Sequence, residues 1–174
     1  KFIFKTYPHI SAVFFGQHYL DEAQGSSSGD RNGVSSAFPS FLVESRSARQ
    51  KPHDDYLYWK PHGASGADDL GYLAFGSYMF GQRQLRTGIW SNSTIGSIVS
   101  GLESGPLVLF NKTGGAMIVA SFANFMDISA VYAKRNGQMT ASWGILGAAE
   151  KIRQDYSVWT MAFYSPHGVK RLFE

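Results

Sequence analysis

Glycine and proline decide what this chain can become. There are 19 glycines and 6 prolines, and only two long windows, 116–136 and 148–165, lack both. Inside a helix, relative to Ala, Gly costs about 1 kcal/mol and Pro about 3 kcal/mol. Helices of ordinary length are therefore confined to those two windows. Elsewhere the segments between breaks are short, apolar and aromatic, which is strand composition. The pattern predicts strands at Phe2–Tyr7, Ala12–Leu20, Phe38–Glu44, Asp55–Trp59, Leu70–Phe80, Pro106–Asn111, Ala116–Phe122, Met139–Leu146 and Val158–Tyr164.

Turn chemistry orders some of these strands. Two β-branched runs flank Asn111–Gly115, a glycine-containing loop of hairpin length. Arg135-Asn136-Gly137 predicts a second hairpin, joining a strand that ends near Tyr132 to Met139–Leu146. Ala148–Gln154 fits one or two helical turns. Glycines inside the runs 12–20 and 70–80 mark bulges or close backbone approach. Residues 21–37 carry a Gly/Ser-rich linker, and 45–69 a long polar loop of the kind that is functional or disordered. Many short strands, frequent turns and little helix predict an all-β fold, an antiparallel β-sandwich formed by residues 1–174 as one domain.

Composition excludes several classes. The chain is 44% hydrophobic and 17% charged, too apolar for a disordered protein. No apolar run approaches the length of about 18 residues that a membrane-spanning helix needs. Sixteen basic residues face 13 acidic ones, scattered along the chain. Lys134–Arg135 and Lys170–Arg171 are the adjacent basic pairs, so no basic arm or stripe suggests nucleic-acid binding. The absence of cysteine removes disulfides, thiolate metal sites and a Cys nucleophile. Lys1 in place of Met reads as a processing or boundary point.

Chemistry-bearing motifs are sparse. His53-Asp54-Asp55, His62 and Asp68-Asp69 gather imidazoles and carboxylates in the long polar loop. Their spacing matches no metal site, and such loops are commonly solvated surface. There is no Gly-x-Ser-x-Gly elbow, phosphate loop or dinucleotide fingerprint. Glu44 and Asp127 could form a glycosidase pair only if the fold brought them together. No catalytic residue, metal or cofactor is assigned. Asn92-Ser-Thr94 and Asn111-Lys-Thr113 are N-glycosylation acceptor triplets, and Asn111 falls at a predicted turn. Most aromatics at strand spacing belong to a core. Tyr56-Leu-Tyr58-Trp59, beside the polar loop, is the cluster expected to bind a ligand.

Five segments occur in order: Gly33-Val-Ser-Ser-Ala-Phe-Pro-Ser-Phe41, Leu70-Gly-Tyr-Leu-Ala-Phe75, Ser104-Gly-Pro-Leu-Val-Leu-Phe110, Phe122-Ala-Asn-Phe-Met126 and Gly144-Ile-Leu-Gly147. Together they resemble the N-terminal β-rich region of secreted proteins similar to α-galactosidases and raffinose synthases. In that family the region precedes a (β/α)₈ barrel holding the catalytic carboxylates. The resemblance implies that the barrel is not within these residues, so no catalytic residue carries over. Expectation settles on a secreted, glycosylated, non-catalytic β-sandwich that binds carbohydrate or assembles with other subunits. The alternatives are a carrier or storage protein for an apolar pigment or lipid, and a glycoside hydrolase.

Overall fold

In the computed structural model of the chain, the residues described are 1–43, 57–58, 70–76, 84–91, 94–102, 104–112, 114–123, 128–135 and 138–173. They form thirteen strands: β1 (Phe2–Tyr7), β2 (Ala12–Tyr19), β3 (Ala23–Gln24), β4 (Val34–Val43), β5 (Leu57–Tyr58), β6 (Leu70–Gly76), β7 (Gln84–Ile89), β8 (Ser104–Asn111), β9 (Ala116–Ala123), β10 (Ile128–Arg135), β11 (Gln138–Leu146), β12 (Lys151–Ile152) and β13 (Tyr156–Ser165). Short 3₁₀ turns lie at Pro8–Ile10 and Ile95–Ser97, and a single helical turn, α1, spans Val169–Leu172. The fold is all-β, as the punctuation predicts.

Seven strands make the larger sheet in the order β1-β2-β13-β9-β8-β6-β7, every pair antiparallel. Four make the smaller sheet, β10-β11-β4-β5, in which β5 runs parallel to β4. A two-stranded ribbon, β12-β3, lies apart from both. The predicted hairpins are the β8–β9 and β10–β11 pairs. One expectation fails. Ala148–Gln154 is a turn leading into β12, not helix. The two windows free of glycine and proline hold β9, β10 and β13, matching the predicted strands at Ala116–Phe122, up to about Tyr132 and at Val158–Tyr164.

The core lies between the two sheets. Alternate residues point inward, as strand geometry requires. Tyr72, Leu107, Leu109 and Val119 come from the larger sheet, and Phe41, Ala130, Met139 and Trp143 from the smaller. Aromatic rings meet edge to face across the middle: Tyr72 with Trp90, Trp90 with Tyr132, and Tyr132 with Trp143, at 6.0, 6.4 and 6.0 Å. One buried polar group bridges the layers. Gln17 of β2 donates through Nε2 to the carbonyls of Ser36 and Phe38 and accepts through Oε1 from Ser36 Oγ at 2.6 Å and Tyr19 Oη at 3.2 Å. Every polar atom of that amide is used, so its burial is compensated.

Candidate functional site

The inward set leaves a second, outward set on the larger sheet, fixed by the same register. On β2 and β13 it is Phe14, Trp159, Met161 and Phe163, since Met161 lies opposite Phe14 and Trp159 opposite Gly16. On β9 and β8 it is Ile118, Ala120, Phe122, Val108 and Phe110. On β6 and β7 it is Leu73, Phe75, Leu85 and Ile89, and on β1 it is Ile3 and Tyr7. All seven strands thus present apolar side chains outward, and all but β7, whose core-side residues are Gln84, Arg86 and Gly88, present them inward as well. An antiparallel sheet with one solvated face alternates apolar and polar residues instead. The centre of the outward face, at Val108 and Ala120, is buried. Its two flanks are open, with Tyr7 and Phe122 40% and 42% exposed on one side and Leu85 and Ile89 56% and 54% on the other.

The open flank at β1, β2, β13 and β9 is a chain of touching rings. Tyr7 meets Phe14 at 4.8 Å, Phe14 meets Phe122 at 5.1 Å and Phe163 at 6.4 Å, and Phe122 meets Trp159 at 6.5 Å. Glycine makes part of this possible. A Cβ on Gly16 would stand 2.8 Å from the Trp159 ring, so the indole lies down on bare backbone. The Phe110 ring covers Gly71 in the same way on the same face, toward β6. The Lys5 ammonium sits 5.0 Å from the Trp159 ring centroid, a cation–π distance. Successive rings along the chain are inclined to one another by 46–50°. They form a ridged surface, not one plane.

Most of the site residues expected from sequence fall outside the described residues: Tyr56, Trp59, Asn92, the group His53, Asp54, Asp55, His62, Asp68 and Asp69, and the pair Glu44 and Asp127. Tyr58 belongs to β5, paired with Leu42 at the edge of the smaller sheet. Asn111 closes the β8–β9 turn. Its Oδ1 accepts the Gly115 N–H at 2.8 Å, the residue is 6% exposed, and its amide nitrogen is enclosed. The folded turn therefore does not offer that nitrogen to solvent. Among the described residues no group of three or more His, Asp or Glu could hold a metal ion. No helix among them is long and apolar enough to cross a membrane.

Two hollows bear on small ligands. One of about 120 Å³ is lined by Ile145, Ala149, Lys151, Ile152, Arg153 and Tyr156, against the ~300 Å³ at which ligand pockets begin. The other is an open groove of about 730 Å³ beside the β12–β3 ribbon, lined by Gln24, Gly25, Ser27, Ser28, Gly29, Glu150 and Lys151. It is polar, and its hydroxyls are engaged: Ser27 Oγ and Ser28 Oγ both donate to the Gly147 carbonyl. At its margin Glu22 pairs with Lys151 at 2.7 Å and accepts from Gln24, and these bonds hold its carboxyl below the usual range. Neither hollow is an enclosed apolar chamber. The outward face was legible in principle, because β8, β9 and β13 lack the polar alternation of a half-solvated strand, but the strand order that makes it continuous was not. No family model matches the chain, and no curated protein or solved structure matches it either.

Proposed function

We propose that this chain is a non-catalytic β-sandwich whose role is assembly, with the outward face of the seven-stranded sheet as its docking surface for another protein. The observation that carries this reading is the apolar outward set on all seven strands, open at both flanks. Contiguous apolar surface of this kind marks interaction sites. The mixture of Phe, Trp, Tyr and Met with few charges matches the centre of a protein interface. Lys5 supplies a cation beside an aromatic anchor, the pairing found at interface hot spots.

A carbohydrate platform is the second reading, favoured by the Trp159 ring lying flat over Gly16. The tilts between neighbouring rings and the aliphatic residues around them weigh toward protein. Extracellular location and glycosylation remain part of the proposal and rest on the Asn92 triplet.

A photoreactive phenylalanine analogue placed at Phe122 and at Leu85 tests the face, with Lys134, exposed on the smaller sheet, as the comparison position. The full chain in material from its own source should cross-link to a protein from positions 122 and 85 and not from 134. Equal yields at all three positions, or none at the first two, would overturn the docking face. Oligosaccharide binding abolished by Trp159→Ala would install the sugar reading in its place.

A further inference from the structure

The edge of the larger sheet carries information of its own. Lys1 and His18 exchange two backbone bonds, each at 2.8 Å, so they form a hydrogen-bonded pair of the β1–β2 ladder. Such pairs alternate along an antiparallel ladder. With the register Ile3↔Gly16, Lys5↔Phe14 and Tyr7↔Ala12, the backbone groups of Ile3, Lys5 and Tyr7 are spent on β2. Those of Phe2, Phe4 and Thr6 point away from the sheet, and no described strand lies beyond them.

The side chains of this edge are sorted by face. Phe2 and Phe4 project on the core side, where Phe2 rests on Phe38 at 4.8 Å and Phe4 on Phe15 at 5.4 Å. They are nonetheless 65% and 55% exposed. The core therefore continues past the smaller sheet and ends uncovered under β1. Lys1 and Lys5 project on the opposite side by the same alternation. An edge strand's open backbone groups are a template for strand addition, and lysines on it turn away like-charged strands while leaving acidic ones welcome.

The geometry points to β1 as the acceptor for an extended segment of a partner protein, about as long as β1 itself, in which apolar residues alternate with Asp or Glu. The apolar residues would cover Phe2 and Phe4, and the carboxylates would face Lys1 and Lys5. A second copy of β1 fits less well. A two-fold pairing centred on Phe4 sets both Lys5 side chains on one face at diagonal positions, where like charges repel. This inference shares Lys5 with the docking face, but its readout at the backbone of Phe2, Phe4 and Thr6 does not depend on that face.

The test uses the full chain and a synthetic peptide of alternating Val and Glu, with an otherwise identical Val/Lys peptide beside it. In the free chain the amides of Phe2, Phe4 and Thr6 should exchange with solvent quickly, and those of Ile3, Lys5 and Tyr7 slowly. The Val/Glu peptide should slow exchange at Phe2, Phe4 and Thr6. Lys5→Glu should weaken that peptide by about fivefold and strengthen the Val/Lys peptide. Slow exchange at Phe2, Phe4 and Thr6 in the free chain would mean that the edge is already covered by its own chain or a second copy, and would overturn the proposal. So would equal binding of the two peptides, binding unchanged by Lys5→Glu, or no binding of either.

Discussion

Two residues show how burial sets chemistry in this chain. Tyr132 is wholly enclosed between Trp90 and Trp143, and loss of hydration pushes its phenol well above the ordinary range. Its folded pKa is raised, so the unfolded chain gives up this proton first as pH climbs. The stabilisation is complete below about pH 10, the unfolded value, and is lost above it. Urea unfolding at pH 8 and pH 11 should show a steep alkaline loss that is smaller in Tyr132→Phe; an unchanged loss would acquit Tyr132. Asn111 makes the opposite point. Its amide nitrogen is enclosed and its oxygen holds the Gly115 N–H, so a glycan there would prevent the turn from closing. If the protein from its own source is glycosylated, peptide mass spectrometry should place the sugar on Asn92 and leave Asn111 bare. Gln17 is legible in neither composition nor spacing, because three of its four bonds go to Ser36 and Phe38 of β4, across the sandwich. Gln17→Leu strands the Ser36 and Phe38 carbonyls and should cost about 2–4 kcal/mol in denaturant unfolding.

At the scale of elements, two glycines in strands predict opposite outcomes. A Cβ on Gly144 of β11 would collide with the Ser36 carbonyl, which is backbone of β4 and cannot move without parting the smaller sheet. Gly144→Ala should cost about 3 kcal/mol or more. A Cβ on Gly16 meets the Trp159 ring, a side chain with one open face, and should cost about 1 kcal/mol while shifting the tryptophan emission. Comparable losses for the two would contradict this distinction. The same contrast explains what the sequence could reveal. Asn111–Gly115 and Arg135-Asn136-Gly137 announced their hairpins because a turn is local chemistry. Strands β3, β7 and β12 were not anticipated, since two-residue ladders and the Gln84–Ile89 run are selected by the neighbours they meet. The ligand cluster expected at Tyr56, Tyr58 and Trp59 arose from aromatic density in one segment. The aromatic surface of the larger sheet is assembled from β1, β2, β9 and β13, strands far apart in sequence, so no single segment announces it.

Across the whole molecule, the larger sheet is apolar on both sides and one side is only partly covered. A sandwich needs a single covered face per sheet to hold together, so on the proposed reading the open flanks of the second apolar face serve association more than folding. Phe122→Asp combined with Leu85→Asp should therefore raise the salt concentration needed to precipitate the chain while moving the thermal midpoint by no more than about 2 °C. A large loss of thermal stability would mean that the face is internal structure.

The position of β13 has a further consequence. It lies between β2 and β9, so the first hairpin of the chain joins the rest of the larger sheet through a strand completed only at Ser165. Until β13 is in place, β1–β2 has no neighbour on that side of the ladder, and Phe14 lacks its contact with Phe163. Closure across such a sequence separation is slow. The β1–β2 hairpin thus joins the larger sheet late in folding, and a chain cut within β13 leaves it without that neighbour.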